Sequence, residues 1–268
     1  MVCAGARGLI DARLLAHHAL QWMARFTRSY LPPAPDDSHT ALDWSAHAKA
    51  FLSVPGAKGG FGLDVAGLTL FAFGPGGRCG GTLNLDKKTE EEVGREFKNL
   101  LTDAGYDAEA LKGALPYEIP GHAVASGGAY DAVSAREGLA ALAEMFDEAH
   151  GLLLDVKTRD ANASPVRTWP HHFDMATLMT LPGKSEASVN AGFSPGDDHY
   201  AEPYYYISPY PYPHSSKLPP NPAYHWHTDH FTAAIMPASK WPSEGQGRKA
   251  FLAQGLADAL AACKMLLA

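Results

Sequence analysis

Apolar side chains recur every three or four residues in four stretches of the chain, the spacing that gathers them on one face of an α-helix. We predict helices over residues 9–28, 89–105, 131–157 and 246–267. The second begins at Thr89, because the sequence Thr-Glu-Glu-Glu lets the threonine and the third glutamate cap the first turn. His17 and His18 are neighbours on the first helix, so we expect one side chain to be buried and the other to face solvent.

Between these helices, apolar and polar residues alternate over short stretches bounded by glycine and proline, the pattern of β-strands. The predicted strands cover residues 61–73, 82–85, 166–181, 187–193, 203–212 and 225–236. The fold class is therefore α+β, with a largely antiparallel sheet and helices packed on one side. We expect a single compact domain over residues 1–268, with possible sub-halves 40–160 and 161–268. In each sub-half, predicted strands are followed by a predicted helix.

Composition and charge narrow the function classes. The chain has 268 residues, of which 46% are hydrophobic, and a net charge of −7. A general nucleic-acid-binding protein needs a basic surface, so the acidic balance argues against that class. Three well-separated cysteines without a Cys-x-x-Cys pair favour a reducing cytoplasm. Charged residues and histidines interrupt each apolar run, so we predict neither an export signal nor a membrane span.

Two histidine-rich segments carry the candidate chemistry, residues 169–174 (Trp-Pro-His-His-Phe-Asp) and 225–230 (His-Trp-His-Thr-Asp-His). Side chains alternate between the two faces of a strand, so His172 and Asp174 share one face of the first segment. His225 and His227 likewise share a face of the second segment, opposite Trp226. If the two strands are neighbours in one sheet, these imidazoles and the carboxylate converge.

Such a convergence has the ligand mixture that zinc, iron and manganese accept. We predict a divalent-metal site formed by His172, Asp174 and His227. A bound metal lowers the pKa of its water and so supplies a nucleophile near neutral pH. The predicted catalytic residues are Asp174, His225 and Tyr205, since a carboxylate beside an imidazole also orients the ring for general-base chemistry.

A tyrosine-rich segment follows a polar turn within residues 192–206. Its Ser-Pro-Gly-Asp sequence is typical of a turn, and a polar loop comes after it. Tyrosines combine large apolar faces with polar tips, which suits a pocket for a small-molecule ligand. The predicted ligand-binding residues are Trp169, Asp197, Glu202, Tyr204, Tyr206 and Trp226.

Three functions stay open on these residues. The first is a metal-dependent, hydrolase-like enzyme that acts on a small polar substrate at the histidine and aspartate cluster of the C-terminal half. The second is a non-catalytic protein that binds a small ligand in a pocket lined by tyrosine and tryptophan. The third is a structural protein whose aromatic strands form a homo-oligomer interface and whose histidines make structural hydrogen bonds.

Five segments of the chain, taken as a set, resemble the signature segments of an uncharacterised family of bacterial proteins. They are residues 32–39, 164–174, 192–197, 202–206 and 226–228, which include the sequences WPHHFD, GFSPGD, EPYYY and WHT. The resemblance runs from about residue 10 to the end of the chain. It implies a soluble bacterial protein and supplies no catalytic residues, because the family has no established activity. The family has a glycine where this chain has His230, so we rank His172, Asp174 and His227 above it as ligands.

Overall fold

The computed structural model describes residues 6–77, 79–243 and 245–268 of the chain. Those ranges contain four α-helices: α1 (Ala6–Tyr30), α2 (Glu90–Asp103), α3 (Arg136–Thr158) and α4 (Gln246–Leu267). The four predicted helices are confirmed, with their ends shifted by a few residues. The capping box is confirmed too, because the Thr89 hydroxyl accepts the Glu92 N–H while the Glu92 carboxylate accepts the Thr89 N–H.

Eleven β-strands lie in the same described ranges, and the pairings between them are antiparallel. They are β1 (Leu42–Ser45), β2 (Ala50–Ser53), β3 (Gly60–Asp64), β4 (Thr69–Phe73), β5 (Cys79–Asn84), β6 (Arg167–Trp169), β7 (Asp174–Leu181), β8 (Lys184–Ser194), β9 (Tyr204–Tyr210), β10 (His225–His227) and β11 (Ala233–Pro237). The fold class is α+β, as the alternation of patterns predicted.

The chain forms two compact units. The first comprises Met1–Asp147 with Thr168–Phe173, and the second comprises Glu148–Arg167 with Asp174–Ala268. The division falls inside helix α3, whose uninterrupted helical pattern gave no sign of it.

In the first unit, the strands follow the order β6-β1-β2-β3-β4-β5. Helix α1 packs on β2 and β3, and helix α2 packs on β5. The core between helices and strands is aromatic: the rings of Phe26 and Phe61 lie 4.7 Å apart, and those of Phe51 and Phe146 lie 4.8 Å apart. The periodic apolar face of α1 is therefore the face that the strands cover.

In the second unit, the strands follow the order β10-β11-β9-β8-β7, and helix α4 packs on β8 and β9. A Cβ atom on Gly255 would lie only 2.6 Å from the Met236 sulfur, so this glycine lets the helix approach the sheet closely. The fully or almost fully buried side chains of the helix are Leu252, Leu256, Ala259 and Cys263. Helix α4 thus covers one face of these strands, the face that carries Met236.

Residues Gly247–Leu267 of α4 have the length and composition of a membrane-spanning helix, with 21 residues and a mean hydropathy of 1.4. Among the described residues, this is the one segment with both properties. About 28% of the segment is buried, by packing on the sheet of the second unit, and one helix with this length and composition is weak evidence for a membrane span. The segment therefore carries no argument for a membrane.

The strand predicted over residues 166–181 is interrupted by a tight turn at residues 170–173. The backbone N–H groups of His172 and Phe173 both donate to the Trp169 carbonyl, at 3.2 and 2.8 Å. Phe173 has a left-handed backbone, with φ 55°. The alternation of faces along a strand therefore does not apply to His172, which lies exposed in the turn.

The strand predicted over residues 225–236 is a hairpin of β10 and β11, whose connecting turn includes His230 with φ 63°. Within β10 the alternation holds. His225 pairs with Ile235 and His227 pairs with Ala233, so the two histidines share a face as predicted.

Both histidines of the pair on α1 are buried, so the expectation that one faces solvent is wrong. Nε2 of His17 donates to the Pro170 carbonyl at 2.9 Å, and Nε2 of His18 donates to the Pro120 carbonyl at 3.0 Å. A buried imidazole with such a partner avoids the free-energy cost of an unsatisfied polar group.

Candidate functional site

Two imidazole rings of the second unit point at one phenol oxygen. Oη of Tyr200 lies 3.0 Å from Nε2 of His225 and 3.0 Å from Nδ1 of His227. Nε2 of His227 lies 2.7 Å from the Asp229 carbonyl oxygen, which can only accept, so the proton of the neutral ring is on Nε2. Tyr200 therefore donates to Nδ1 of His227 and accepts the Nε2–H of His225. We call these three residues the Tyr200 centre.

The Tyr200 centre is half-buried, and its surroundings favour the neutral form of the His225 ring. All three side chains are partly accessible to solvent. Burial lowers the pKa of His225, and the charge of Lys240 and the neighbouring His227 lower it further. A neutral ring keeps one nitrogen lone pair, which can accept a proton or bind a metal ion.

A tight turn holds Tyr200 in this position. Oδ1 of Asp197 accepts the backbone N–H groups of His199 and Tyr200, at 2.8 and 2.9 Å. The Asp197 N–H donates in return to the Tyr200 carbonyl at 2.7 Å. Gly196, with φ 110°, supplies the positive φ that turns the chain into this loop. The closed turn therefore spans Asp197–Tyr200, directly after the predicted Ser-Pro-Gly-Asp segment, in which the Gly196 N–H donates to the Ser194 hydroxyl at 3.1 Å.

Two tyrosine–aspartate pairs continue the polar surface from the Tyr200 centre. Oη of Tyr204 donates to Oδ2 of Asp197 at 2.5 Å, and the Tyr206 hydroxyl donates to the Asp174 carboxylate. Burial raises the pKa of both phenols, and the aspartates raise it further. The ring of Tyr204 lies 5.0 Å from that of Tyr200 and 6.1 Å from that of Tyr206. These groups form one face of the strands, opposite the face that helix α4 covers.

A glycine lets Tyr206 reach across β8. A Cβ atom on Gly192 would lie 2.3 Å from the Tyr206 ring, so only a glycine leaves room for the ring above this strand. The Tyr206 hydroxyl can therefore meet Asp174 on β7, two strands away.

The structure does not bring Asp174 to His227, the two predicted metal ligands within this unit. Strands β8, β9 and β11 lie between β7 and β10. With about 4.8 Å per strand spacing, the backbones of β7 and β10 are about 19 Å apart. Asp174 is instead the partner of Tyr206, and its predicted catalytic pairing with His225 fails for the same reason.

The third predicted ligand, His172, belongs to the first unit, so its convergence with His227 stays a prediction. Among the described residues, no group of three histidine, cysteine, aspartate or glutamate side chains is arranged to hold a metal ion. Tyrosine is not one of these four residue types, and it supplies one member of the Tyr200 centre.

Tyr205, a predicted catalytic residue, lies apart from Tyr204 and Tyr206 on the face that α4 covers. Its side chain is fully buried, with its ring 5.2 Å from that of Phe193 and 5.4 Å from that of Trp241. Within the described chain its hydroxyl has no hydrogen-bond partner. Tyr205 is thus a core residue that no substrate from solvent can reach.

Two predicted ligand-binding residues of the second unit also lie away from the Tyr200 centre or are otherwise engaged. Trp226 faces the opposite side of β10, where Nε1 donates to the Pro219 carbonyl at 2.7 Å. The Glu202 carboxylate accepts the N–H and the hydroxyl of Ser239, at 2.5 and 2.9 Å, and so fixes a loop. Trp169 belongs to the first unit, so its place in the binding surface stays a prediction. Within the second unit, Asp197, Tyr204 and Tyr206 are the predicted binding residues that share one surface.

Comparison with family models, with curated proteins and with solved structures gives no match to this chain. The resemblance to an uncharacterised bacterial family therefore stays a prediction. The site has to be interpreted from its own residues.

Sequence reasoning missed Tyr200, the residue on which the imidazoles converge. The signal available was its spacing from Asp197: an aspartate that begins a tight turn fixes the residue three positions later. The neighbouring His199 was missed as well, and its ring centroid lies 5.5 Å from that of His227.

The first unit has a cleft with a volume of about 610 Å³. Its walls are mainly apolar, with Phe71 and Phe73 among them. The ionisable groups among its described lining residues are the imidazole of His47 and the exposed thiol of Cys79. The cleft offers space, whereas the Tyr200 centre offers converging polar groups.

Proposed function

We propose that the protein is a hydrolase-like enzyme that acts on a small polar substrate at the Tyr200 centre. The observation that supports this function is the convergence of two imidazole nitrogens on one phenol oxygen, each at 3.0 Å. Imidazole and phenol groups orient water, exchange protons and bind metal ions, and hydrolysis needs at least one of these actions.

The surroundings of the Tyr200 centre support access for a substrate together with fixed geometry. The three side chains are half-buried, so a solute can reach them. The ring of Phe231 lies 4.2 Å from that of His227 and shields one side of the imidazole. A partly shielded centre strengthens electrostatic interactions with a bound substrate.

The carboxylates beside the Tyr200 centre favour a substrate that is polar and either uncharged or cationic. The carboxylates of Asp174 and Asp197 lie on the same face, each bound to a tyrosine hydroxyl. Their negative charge disfavours an anionic substrate, since like charges repel. Hydroxyl, amide and amine groups suit this surface because they can donate hydrogen bonds to it.

A second candidate function is binding of a small ligand without turnover. The row of rings formed by Tyr200, Tyr204 and Tyr206 favours it, with centroid distances of 5.0 and 6.1 Å. Aromatic faces of this kind bind a planar or hydroxylated ligand by stacking. The two candidates share one surface and differ only in whether the bound molecule is converted.

A hydrolase screen on the full chain tests the proposal. The probes are chromogenic carboxylic esters, phosphate esters, amides and glycosides. We expect turnover of one class, with a loss of about 100-fold or more in kcat/KM for Tyr200→Phe, His225→Ala and His227→Ala. His230→Ala is the matched control, because its side chain is 80% exposed in the adjoining turn.

Equal turnover by the wild type and the three variants would contradict catalysis at the Tyr200 centre. Binding of a probe without turnover, weakened by the same substitutions, would favour the second candidate.

A further inference from the structure

The distances from the Tyr200 oxygen to the two imidazole nitrogens match the spacing of ligands around one metal ion. Ligands held at about 2.0–2.1 Å from an ion lie about 3.0–3.4 Å from each other, for right-angled to tetrahedral geometry. The phenol oxygen of Tyr200 lies 3.0 Å from the facing nitrogen of His225 and 3.0 Å from that of His227. Both nitrogens therefore lie within ligand spacing of the phenol oxygen, and an ion bound to all three atoms would also draw the two nitrogens to that spacing from each other.

Nε2 of His227, the ring nitrogen that does not face Tyr200, has the kind of hydrogen-bond partner that metal-binding histidines have. A metal-ligating histidine almost always donates its other ring N–H to a carboxylate, a carbonyl or water, which fixes the tautomer and the ring orientation. Nε2 of His227 donates to the Asp229 carbonyl at 2.7 Å. The lone pair of Nδ1 is therefore directed at the point where the ion would lie.

The oxygen ligand is held by the loop that precedes it. Asp197 binds the backbone of Tyr200 in a closed turn, so the tyrosine does not have to be ordered when an ion arrives. Preorganisation of this kind lowers the entropic cost of binding. The Asp197 carboxylate also brings a negative charge to the loop, which attracts a cation.

We infer that the Tyr200 centre binds one divalent transition-metal ion through Nε2 of His225, Nδ1 of His227 and Oη of Tyr200. Compared with the set predicted from the sequence, His227 is kept, while His225 and Tyr200 replace His172 and Asp174. Imidazole ligands favour zinc, copper, iron and nickel over magnesium and calcium. Three protein ligands leave a position for water, which is the arrangement of catalytic rather than structural zinc sites.

Binding of the ion redistributes two protons. The phenol of Tyr200 loses its proton to solvent and becomes the anionic oxygen ligand. His225 keeps one proton but moves it from Nε2 to Nδ1, which frees the facing lone pair. One proton is therefore released for each ion bound, and no oxidation or reduction takes place.

A titration on the full, tag-free chain tests the metal site. The protein is first treated with a chelator, then titrated with Zn²⁺ against a chromophoric competitor and separately with Co²⁺, whose visible absorption reports coordination. We expect one saturable site per chain. His225→Ala and His227→Ala should each raise the Zn²⁺ Kd by more than about 100-fold, since loss of an outer-shell partner alone costs about 10–100-fold. Tyr200→Phe should weaken binding less and change the Co²⁺ spectrum.

The control is His230→Ala, which removes an exposed imidazole from the adjoining turn and should leave the Kd unchanged. Absence of saturable binding in the wild type overturns the inference, as does a Kd that the three substitutions leave unchanged. Circular dichroism checks that each variant is folded. If a variant is not folded, X-ray absorption of the Zn²⁺-loaded wild type decides, and a coordination shell without imidazole nitrogens overturns the inference.

This metal site deepens the proposed function, on which its biological role rests, but the two can fail separately. Saturable Zn²⁺ binding at these residues without turnover of any probe supports the metal site and contradicts the enzyme. Turnover by chelator-treated protein that binds no ion supports the enzyme and overturns the metal site.

Discussion

Asp197 and Tyr200 bind each other in both directions: the Asp197 N–H donates to the Tyr200 carbonyl at 2.7 Å, and the Tyr200 N–H donates to Oδ1 of Asp197 at 2.9 Å. The turn is therefore closed by a backbone bond and by a side-chain bond. Because the phenol of Tyr200 extends from this turn to both imidazoles, Asp197 acts as a positioning residue for the whole centre.

Replacing Asp197 by alanine should loosen the loop and weaken metal binding. Alanine removes the acceptor of the two backbone N–H groups, so we expect a Zn²⁺ Kd raised by about 10–100-fold, the range for outer-shell partners. Asp197→Asn keeps the Oδ1 acceptor of the turn and is the conservative control, with a smaller loss. The same competition titration measures both variants, and equal effects would contradict a positioning role.

Tyr205→Phe should be neutral or stabilising. The Tyr205 hydroxyl is fully buried and has no hydrogen-bond partner among the described residues. A buried unsatisfied group costs about 1–3 kcal/mol, so its removal should raise the free energy of unfolding by about 1 kcal/mol or leave it unchanged. Urea unfolding measures the change. A clear loss of stability, or a loss of activity in folded protein, would mean that this hydroxyl has a role that its contacts do not indicate.

Tyr206→Phe should have the opposite effect. The substitution removes a hydrogen bond to the Asp174 carboxylate, and bonds to charged groups contribute about 1.5–3 kcal/mol. We expect a lower urea midpoint with an unchanged slope. Tyr210→Phe is the matched control, because Tyr210 lies on the same strand and is 56% exposed. Equal midpoints for the two variants would show that the bond contributes nothing to stability.

The buried His17 should make the protein less stable in acid. Burial lowers its pKa from 6.5 to about 4, so the folded state takes up the proton less readily than the unfolded state. The stabilising effect of the neutral ring is therefore complete above pH 6.5 and is lost as the pH falls towards 4. At about pH 4 the loss amounts to roughly 3 kcal/mol.

Urea unfolding between pH 7 and pH 4 measures this loss, with His17→Gln as the comparison. Glutamine keeps a donor for the Pro170 carbonyl but does not titrate, so its stability should fall less steeply over the same range. Parallel curves for the two proteins would assign the acid sensitivity to other groups.

The sequence predicted those features that depend on neighbours along the chain. The capping box at Thr89 needs only residues three positions apart, and the shared face of His225 and His227 needs only one short strand. The turn at residues 170–173 was not predictable in this way. Its left-handed Phe173 stacks on His17 at 5.1 Å, a contact between residues far apart in the chain.

The sequence predicted only part of the candidate site, because the rest depends on contacts between residues that are far apart in the chain. Strand alternation gave His225 and His227 a common side of their strand, but it gave no strand order. The order β10-β11-β9-β8-β7 separates Asp174 from His227, and only pairing between distant segments decides it. Tyr200 lies in a loop, where side chains do not alternate between two faces, so the sequence pattern does not predict its contact with both imidazoles.

Trp226 lies between His225 and His227 in the chain but points to the other side of β10, with its indole N–H fixed on the Pro219 carbonyl. It is therefore a native optical reporter beside the Tyr200 centre. Because the chain has five tryptophans, quenching of the emission by bound Co²⁺ or Cu²⁺ that disappears in Trp226→Phe would reveal an ion one residue away, without a label.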